Sequence, residues 1–170
     1  MSETFRNVRT NLQFMLKNDQ KVILVTSTVS GEGKSFISSN LAISLSLLGK
    51  KVVIVGLDIR KPGLNKVFNI PRKEQGITQY LSNPEKDLMA FVQPSDVSKN
   101  LYILLGGTVP PNPTELLARD GLDKAIETLK KNFDYVILDT APVGMVTDTL
   151  LIGRVADLSV YVCRGDFTLE

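Results

Sequence analysis

The chain has 170 residues, 43% hydrophobic and 22% charged, with 12 glycines and 8 prolines, a globular composition that excludes disordered, collagen-like and low-complexity chains. Its 20 Lys and Arg against 18 Asp and Glu leave a formal charge of +2, without the basic excess of a dedicated nucleic-acid binder, and no nucleic-acid partner is expected. Histidine is absent and Cys163 is the one cysteine, which excludes an intrachain disulfide, a Ser-His-Asp triad, a Cys-His pair and a His-ligated zinc, and fits a reducing compartment.

In chain order, an opening helix is expected from Ser2, as N-cap, through Lys17, with Phe5, Val8, Leu12 and Met15 along one face. A strand (Val22–Thr26), a helix (Lys34–Leu48) and a second strand (Lys51–Leu57) follow. The segment from Lys61 to Asn100, broken by Pro62, Pro71, Pro84 and Pro94, is the least regular, with short helices expected around Gln79 and Leu88. Then come a strand at Leu101–Leu105, a helix at Gly121–Lys131 with Leu122, Ala125, Ile126 and Leu129 apolar, and strands at Tyr135–Leu138 and Leu158–Val162. The strands are near-continuous apolar runs, as in a parallel sheet covered on both faces. Strand and helix alternate, so the expected fold is a three-layer α/β/α domain around a mostly parallel central sheet, one domain over residues 1–170. The most apolar stretch, Leu41–Leu48, is too short to span a membrane and is interrupted by Ser44 and Ser46, and the N-terminus has no signal-peptide pattern. A cytoplasmic domain is expected.

The first strand runs into Thr28-Val29-Ser30-Gly31-Glu32-Gly33-Lys34-Ser35 and then a helix. Glycines 31 and 33 let successive backbone N–H groups converge beside the positive end of that helix, a cradle for polyphosphate. Lys34 supplies a cation for the β- and γ-phosphates, and the Ser35 hydroxyl a ligand for Mg2+. The first position of the G-x-x-x-x-G-K-S pattern is Thr28 rather than glycine. Two later strands end in carboxylates, at Asp58 and Asp139, where α/β sheets place their ligands. A magnesium ion shared by Ser35, Asp58, Asp139 and the phosphates would satisfy both acids. Asn65-Lys66 lacks the aspartate two residues on that N-K-x-D guanine readers use, so ATP is the expected nucleotide.

These residues resemble the bacterial tyrosine kinases of capsule and exopolysaccharide systems, built on the deviant P-loop fold of the cell-division and partition ATPases. The resemblance covers essentially the whole chain: the loop Thr26–Ser35, the D-x-R at Asp58 and Arg60, Val136–Pro142, Pro110–Leu117 and Val146–Asp148. It implies Lys34, Asp58, Arg60 and Asp139 as catalytic residues, and Ser30, Gly31, Glu32, Gly33, Lys34, Ser35 and Phe36 as nucleotide contacts. Glu3, Arg6 and Arg9 reproduce an E-x-x-R-x-x-R spacing that in the family mediates ring assembly; by spacing alone they share a helical face, which is more commonly a solvated charged surface. The implied partners are further copies of the chain, a transmembrane polysaccharide co-polymerase segment, fused or separate, and tyrosine-containing protein substrates, at the cytoplasmic face of the membrane. The chain departs from the family at Gly56, where the D-x-D-x-R motif carries its first acid, and it ends without a tyrosine-rich tail; Tyr80, Tyr102, Tyr135 and Tyr161 are scattered, and three of them lie in or beside apolar runs. It therefore reads as a domain excised from a longer membrane-associated protein, with Leu169-Glu170 a candidate cloning remnant. Two other readings stay open: a partition-type ATPase switch, which would carry a signature lysine that Thr28–Ser30 lacks, and a nucleotide-binding assembly module with weak or no kinase activity, which Gly56 keeps in play.

Overall fold

The computed structural model describes residues 3–27, 32–142, 147–163 and 166–169. Helix α1 (Glu3–Met15) leads to β1 (Val22–Ser27), α2 (Glu32–Ser46) and β2 (Val52–Gly56). Short helices α3 (Leu64–Val67) and α4 (Ile77–Ser82), a 3-10 turn (Leu88–Phe91) and the two-residue β3 (Gln93–Pro94) follow. The rest is β4 (Leu101–Leu104), α5 (Pro113–Ala118), α6 (Gly121–Asn132), β5 (Tyr135–Asp139), α7 (Asp148–Gly153), β6 (Leu158–Cys163) and β7 (Asp166–Leu169). The strands form one sheet in the order β3-β4-β2-β5-β1-β6-β7. Its five inner strands are parallel, and the two edge strands run antiparallel to their neighbours.

Alternation along the strands divides the core between two layers. Ile23, Val25, Ile54, Ile137 and Val160 pack with Leu12, Leu41, Leu45 and Leu64 of α1–α3. Val22, Leu24, Val53, Val55, Val136 and Leu138 face the opposite way, onto Leu81, Leu117, Leu122 and Leu129 of α4–α6. This is the expected α/β/α sandwich. The register sets the site: Val25 of β1 and Gly56 of β2 both lie opposite Asp139 of β5.

The differences from the sequence reading sit at element ends and edges. On α1, Met15 is 46% exposed, and Leu16, one turn beyond Leu12, packs on the inner cluster instead. Ser2 lies outside the described residues. Helix α2 stops at Ser46; Leu47 and Leu48 are exposed, and Gly49 turns the chain at φ +81°, the left-handed stop that a side chain resists. The short helices expected near Gln79 and Leu88 are α4 and the 3-10 turn, whereas α3, β3 and β7 were not expected. Those three span four residues or fewer, too short to show a period, and Pro94 is accommodated because its strand is an edge. The most buried tyrosine is Tyr80 of α4, the one outside the apolar strands; Tyr102 is half-buried, edge-on to Phe133. Among the described residues no helix is long and apolar enough to cross a membrane.

Candidate active site

Asp139 ends the strand between β1 and β2 and is buried beneath the first turns of α2. Its Oδ1 accepts from Lys34 Nζ at 2.7 Å and from Ser38 Oγ at 3.0 Å, and its Oδ2 accepts from Ser35 Oγ at 2.9 Å. Three donors on consecutive turns of one helix therefore hold one carboxylate. Lys34 is only 5% exposed, so its charge depends on Asp139 for compensation. Ser38 also donates to the Ser35 carbonyl at 3.1 Å, and Ser39 to the same oxygen at 2.7 Å, fixing the turn that presents Ser35. Sequence reasoning missed Ser38, although its place one turn after Lys34 on the same helix face was a usable signal.

The adjoining strand ends are clamped by hydroxyls. Thr140 N and Oγ1 both donate to the Val25 carbonyl, at 3.1 and 2.9 Å. Thr26 Oγ1 and Thr149 Oγ1 donate to the Ala141 carbonyl, at 2.9 and 2.7 Å. This network secures the exits of β1 and β5, beside the start of α2. Of the expected phosphate-loop residues, Ser30 and Gly31 lie outside the described residues; Glu32 and Gly33 open α2. Phe36, on the same first turn, is 56% exposed.

Asp58 lies two residues past β2, half-buried, with Oδ1 accepting from Lys61 N at 3.2 Å. Burial pushes its carboxyl above the usual carboxylate range, Lys34 and the Lys61 amide pull it back, and Asp139 adds a smaller upward push. Asp58 and Asp139 border one narrow cleft, lined also by Gly56, Gly106 and Gly107. A Cβ at Gly56 would stand 3.2 Å from Gly106 N and 3.7 Å from Leu64 Cδ2, so β2 and the end of β4 approach more closely there than side chains usually allow.

Arg60 is paired with side chains far along the sequence. Its Nε donates to Asp148 Oδ2 at 2.6 Å and its Nη2 to Asp148 Oδ1 at 3.3 Å, while Nη2 also reaches Thr114 Oγ1 at 2.8 Å. Thr114 in turn donates to Asp148 Oδ1 at 2.8 Å. The guanidinium thus ties the turn after β2 to the starts of α5 and α7, and acts on Asp58 through the backbone they share. On α1, Glu3 and Arg6 are exposed, whereas Arg9 Nη1 donates to the Ser44 carbonyl in the last turn of α2 at 3.1 Å.

Ser35 and Asp139 offer hard oxygen donors 2.9 Å apart beside Asp58, which suits Mg2+, an ion that takes one or two carboxylates together with waters and substrate phosphates. Among the described residues no three Asp, Glu or Cys side chains converge as a self-sufficient metal cage. The arrangement fits an ion that arrives with a nucleotide.

A sequence family described as AAA domain matches residues 20–162. Tyrosine-protein kinase CpsD of Streptococcus agalactiae is 39% identical over 163 residues, which cover 96% of this chain and 70% of the relative. The chimerical protein CapA2B2 superposes with a TM-score of 0.88 at 34% identity, over 97% of this chain and 72% of that one. The kinase domain of Escherichia coli tyrosine kinase ETK gives 0.87 at 30% identity, over 94% and 62%. The septum site-determining protein MinD of Pyrococcus horikoshii, complexed with Mg-ADP, gives 0.70 at 22% identity, over 84% and 57%, and shares the fold alone. Likeness at this level runs through the strands and helices that hold Lys34, Ser35 and Asp139, and the chain belongs to the bacterial tyrosine-protein kinases, enzymes built on a P-loop ATPase fold.

Proposed function

We propose that this chain transfers the γ-phosphoryl group of ATP to protein tyrosines, autophosphorylation included, in a system that makes and exports capsule or exopolysaccharide. The observation that carries this reading is the buried Lys34–Asp139 pair, with Ser35 on the same carboxylate, at the exits of β1 and β5. Backbone N–H groups of residues 31–35, at the positive end of a 15-residue helix, bind the phosphates. Lys34 neutralises charge on the phosphoryl group in flight, where positioning and electrostatics do most of the work. Ser35 and Asp139 would hold Mg2+, and the ion would supply further neutralisation of the β- and γ-phosphates; Asp58 would either complete that shell or act as the base, the role taken here. As the tyrosine oxygen bonds to phosphorus and the bond to ADP breaks, the phenolic proton passes to Asp58. Arg60 positions the Asp58 turn through Asp148 and Thr114.

The working assembly is a ring of copies joined through the α1 face of Glu3 and Arg6, with Arg9 tying that helix to α2 of its own copy, engaged by a transmembrane co-polymerase segment at the cytoplasmic face of the membrane. Gly56 favours a second reading, a nucleotide-binding assembly module with weak kinase activity, because the position opposite Asp139 lacks an acid. Incubation with γ-labelled ATP and Mg2+, followed by phosphotyrosine mapping, decides between them. Label on tyrosine in the wild type, lost in Lys34→Met, is the expected result. Hydrolysis without tyrosine label would overturn the kinase reading in favour of a switch, and nucleotide binding with neither would favour the assembly module.

A further inference from the structure

Of the three side chains that donate to Asp139, Lys34 and Ser35 have work to do at a nucleotide, and Ser38 has none so far. Its hydroxyl is fully buried, one turn of α2 beyond Lys34, with Oγ 3.0 Å from Asp139 Oδ1 and 3.1 Å from the Ser35 carbonyl. A hydroxyl carries one proton, so these two acceptors compete for it. Each has another donor as well: Lys34 Nζ lies 2.7 Å from Oδ1, and Ser39 Oγ donates to the Ser35 carbonyl at 2.7 Å.

Phosphate changes that balance, because it competes for Lys34. The ammonium that would neutralise the β- and γ-phosphates is the same one that compensates a carboxylate only 1% exposed. Whatever Lys34 gives to phosphate it withdraws from Oδ1, and a buried carboxylate oxygen short of donors is costly. Ser35 cannot cover the loss, since it donates to the other oxygen, Oδ2. Among the described residues the donor left on Oδ1 is Ser38. Its O–H can turn wholly to Asp139 without leaving a buried acceptor unmet, because Ser39 keeps the Ser35 carbonyl. The proton stays on Oγ throughout, and only the direction of the bond changes.

We propose that Ser38 is a positioning residue of the nucleotide site, holding Asp139 in place while Lys34 exchanges from the carboxylate to phosphate. The inference rests on the nucleotide reading of the site and is independent of what accepts the phosphoryl group. Calorimetric titration of the full chain with a non-hydrolysable ATP analogue and Mg2+ is compared with urea unfolding in the absence of nucleotide. A hydroxyl of purely structural value would act equally in both states, so Ser38→Ala would lower the urea midpoint and leave analogue affinity unchanged. The exchange requires Ser38→Ala to weaken the analogue about tenfold as well, since its bond to a charged group strengthens as Lys34 departs. Ser38→Cys, similar in size but a poor donor, should stay as weak as the alanine variant. In a Lys34→Met background Ser38 already serves Oδ1 alone, so Ser38→Ala should shift the urea midpoint about twice as far as in the wild type. If Lys34→Met is too unstable to compare, the analogue titrations decide alone. Wild-type affinity in Ser38→Ala would overturn the proposal and leave the nucleotide reading standing. So would recovery in Ser38→Cys, which would assign the loss to a cavity. Failure of the wild type itself to bind the analogue would overturn the nucleotide reading and the exchange with it.

Discussion

Lys34 and Asp139 are nearly free of solvent contact and 2.7 Å apart, so each charge is tolerable chiefly because the other is present. Ser35 and Ser38 share the carboxylate, so removing Lys34 does not leave Asp139 without donors, while removing the acid strands a buried ammonium. Lys34→Met and Asp139→Asn are each expected to destabilise the fold, by about 3–5 kcal/mol at the limit for a broken buried pair, with the lysine variant nearer the lower end. The double variant should fall short of the sum by about 1–3 kcal/mol, since the second change removes the charge the first left uncompensated. Urea unfolding of the four proteins measures this, and strict additivity would show that the pair is not coupled. At this scale the sequence made Lys34, Ser35 and Asp139 legible, because the chemistry of a phosphate loop and of a strand-end carboxylate is written locally. It did not reveal that Arg60 would turn to Asp148 and Thr114, partners 88 and 54 residues away that only the fold brings together.

The inner strands could be read from the chain because a strand covered on both faces has to be apolar at nearly every position, as Val22–Val25 and Val52–Val55 are. Edge strands face no such demand, which is why β3 and β7 left no trace, and α3 is a single turn without a period of its own. The segment between β2 and β4 buries Leu64, Ile77 and Leu81 in the core and is held by backbone contact as well, with Gly76 its tightest point. A Cβ there would stand 2.3 Å from Leu105 O and 2.5 Å from Gly107 N, both backbone atoms that cannot swing aside. The backbone at Gly76 is extended (φ −166°), so the restriction is one of space and not of conformation. Gly76→Ala should therefore displace the segment from the end of β4 and cost about 2–3 kcal/mol, as forced overpacking does. Hydrogen exchange at Ile77 and Thr78 should accelerate along with the loss in unfolding free energy. An unchanged denaturation midpoint would mean that the segment is not anchored there.

Assembly belongs to the molecule as a whole, and α1 carries the residues expected to direct it, with unequal commitments. Arg9 is bound to its own subunit: Nη1 reaches the Ser44 carbonyl in the last turn of α2, where a cation is favoured, and its Nε is buried without a partner among the described residues. Glu3 and Arg6 are exposed and available to a neighbouring copy. The three positions should then separate by experiment. Glu3→Ala/Arg6→Ala should lower the mass seen by light scattering toward the monomer with a small change in melting temperature, since the favourable placement of Glu3 at a helix N-terminus is worth only about 0.3–1 kcal/mol. Arg9→Ala should lower the melting temperature first, because it removes a hydrogen bond between α1 and α2, and should reduce the mass only as a consequence. If the double variant keeps the wild-type mass, the outer face of α1 is a solvated surface and the subunits meet elsewhere. If Arg9→Ala dissociates the assembly with no loss of stability, its tie to α2 opens on association and Arg9 reaches across to the neighbour.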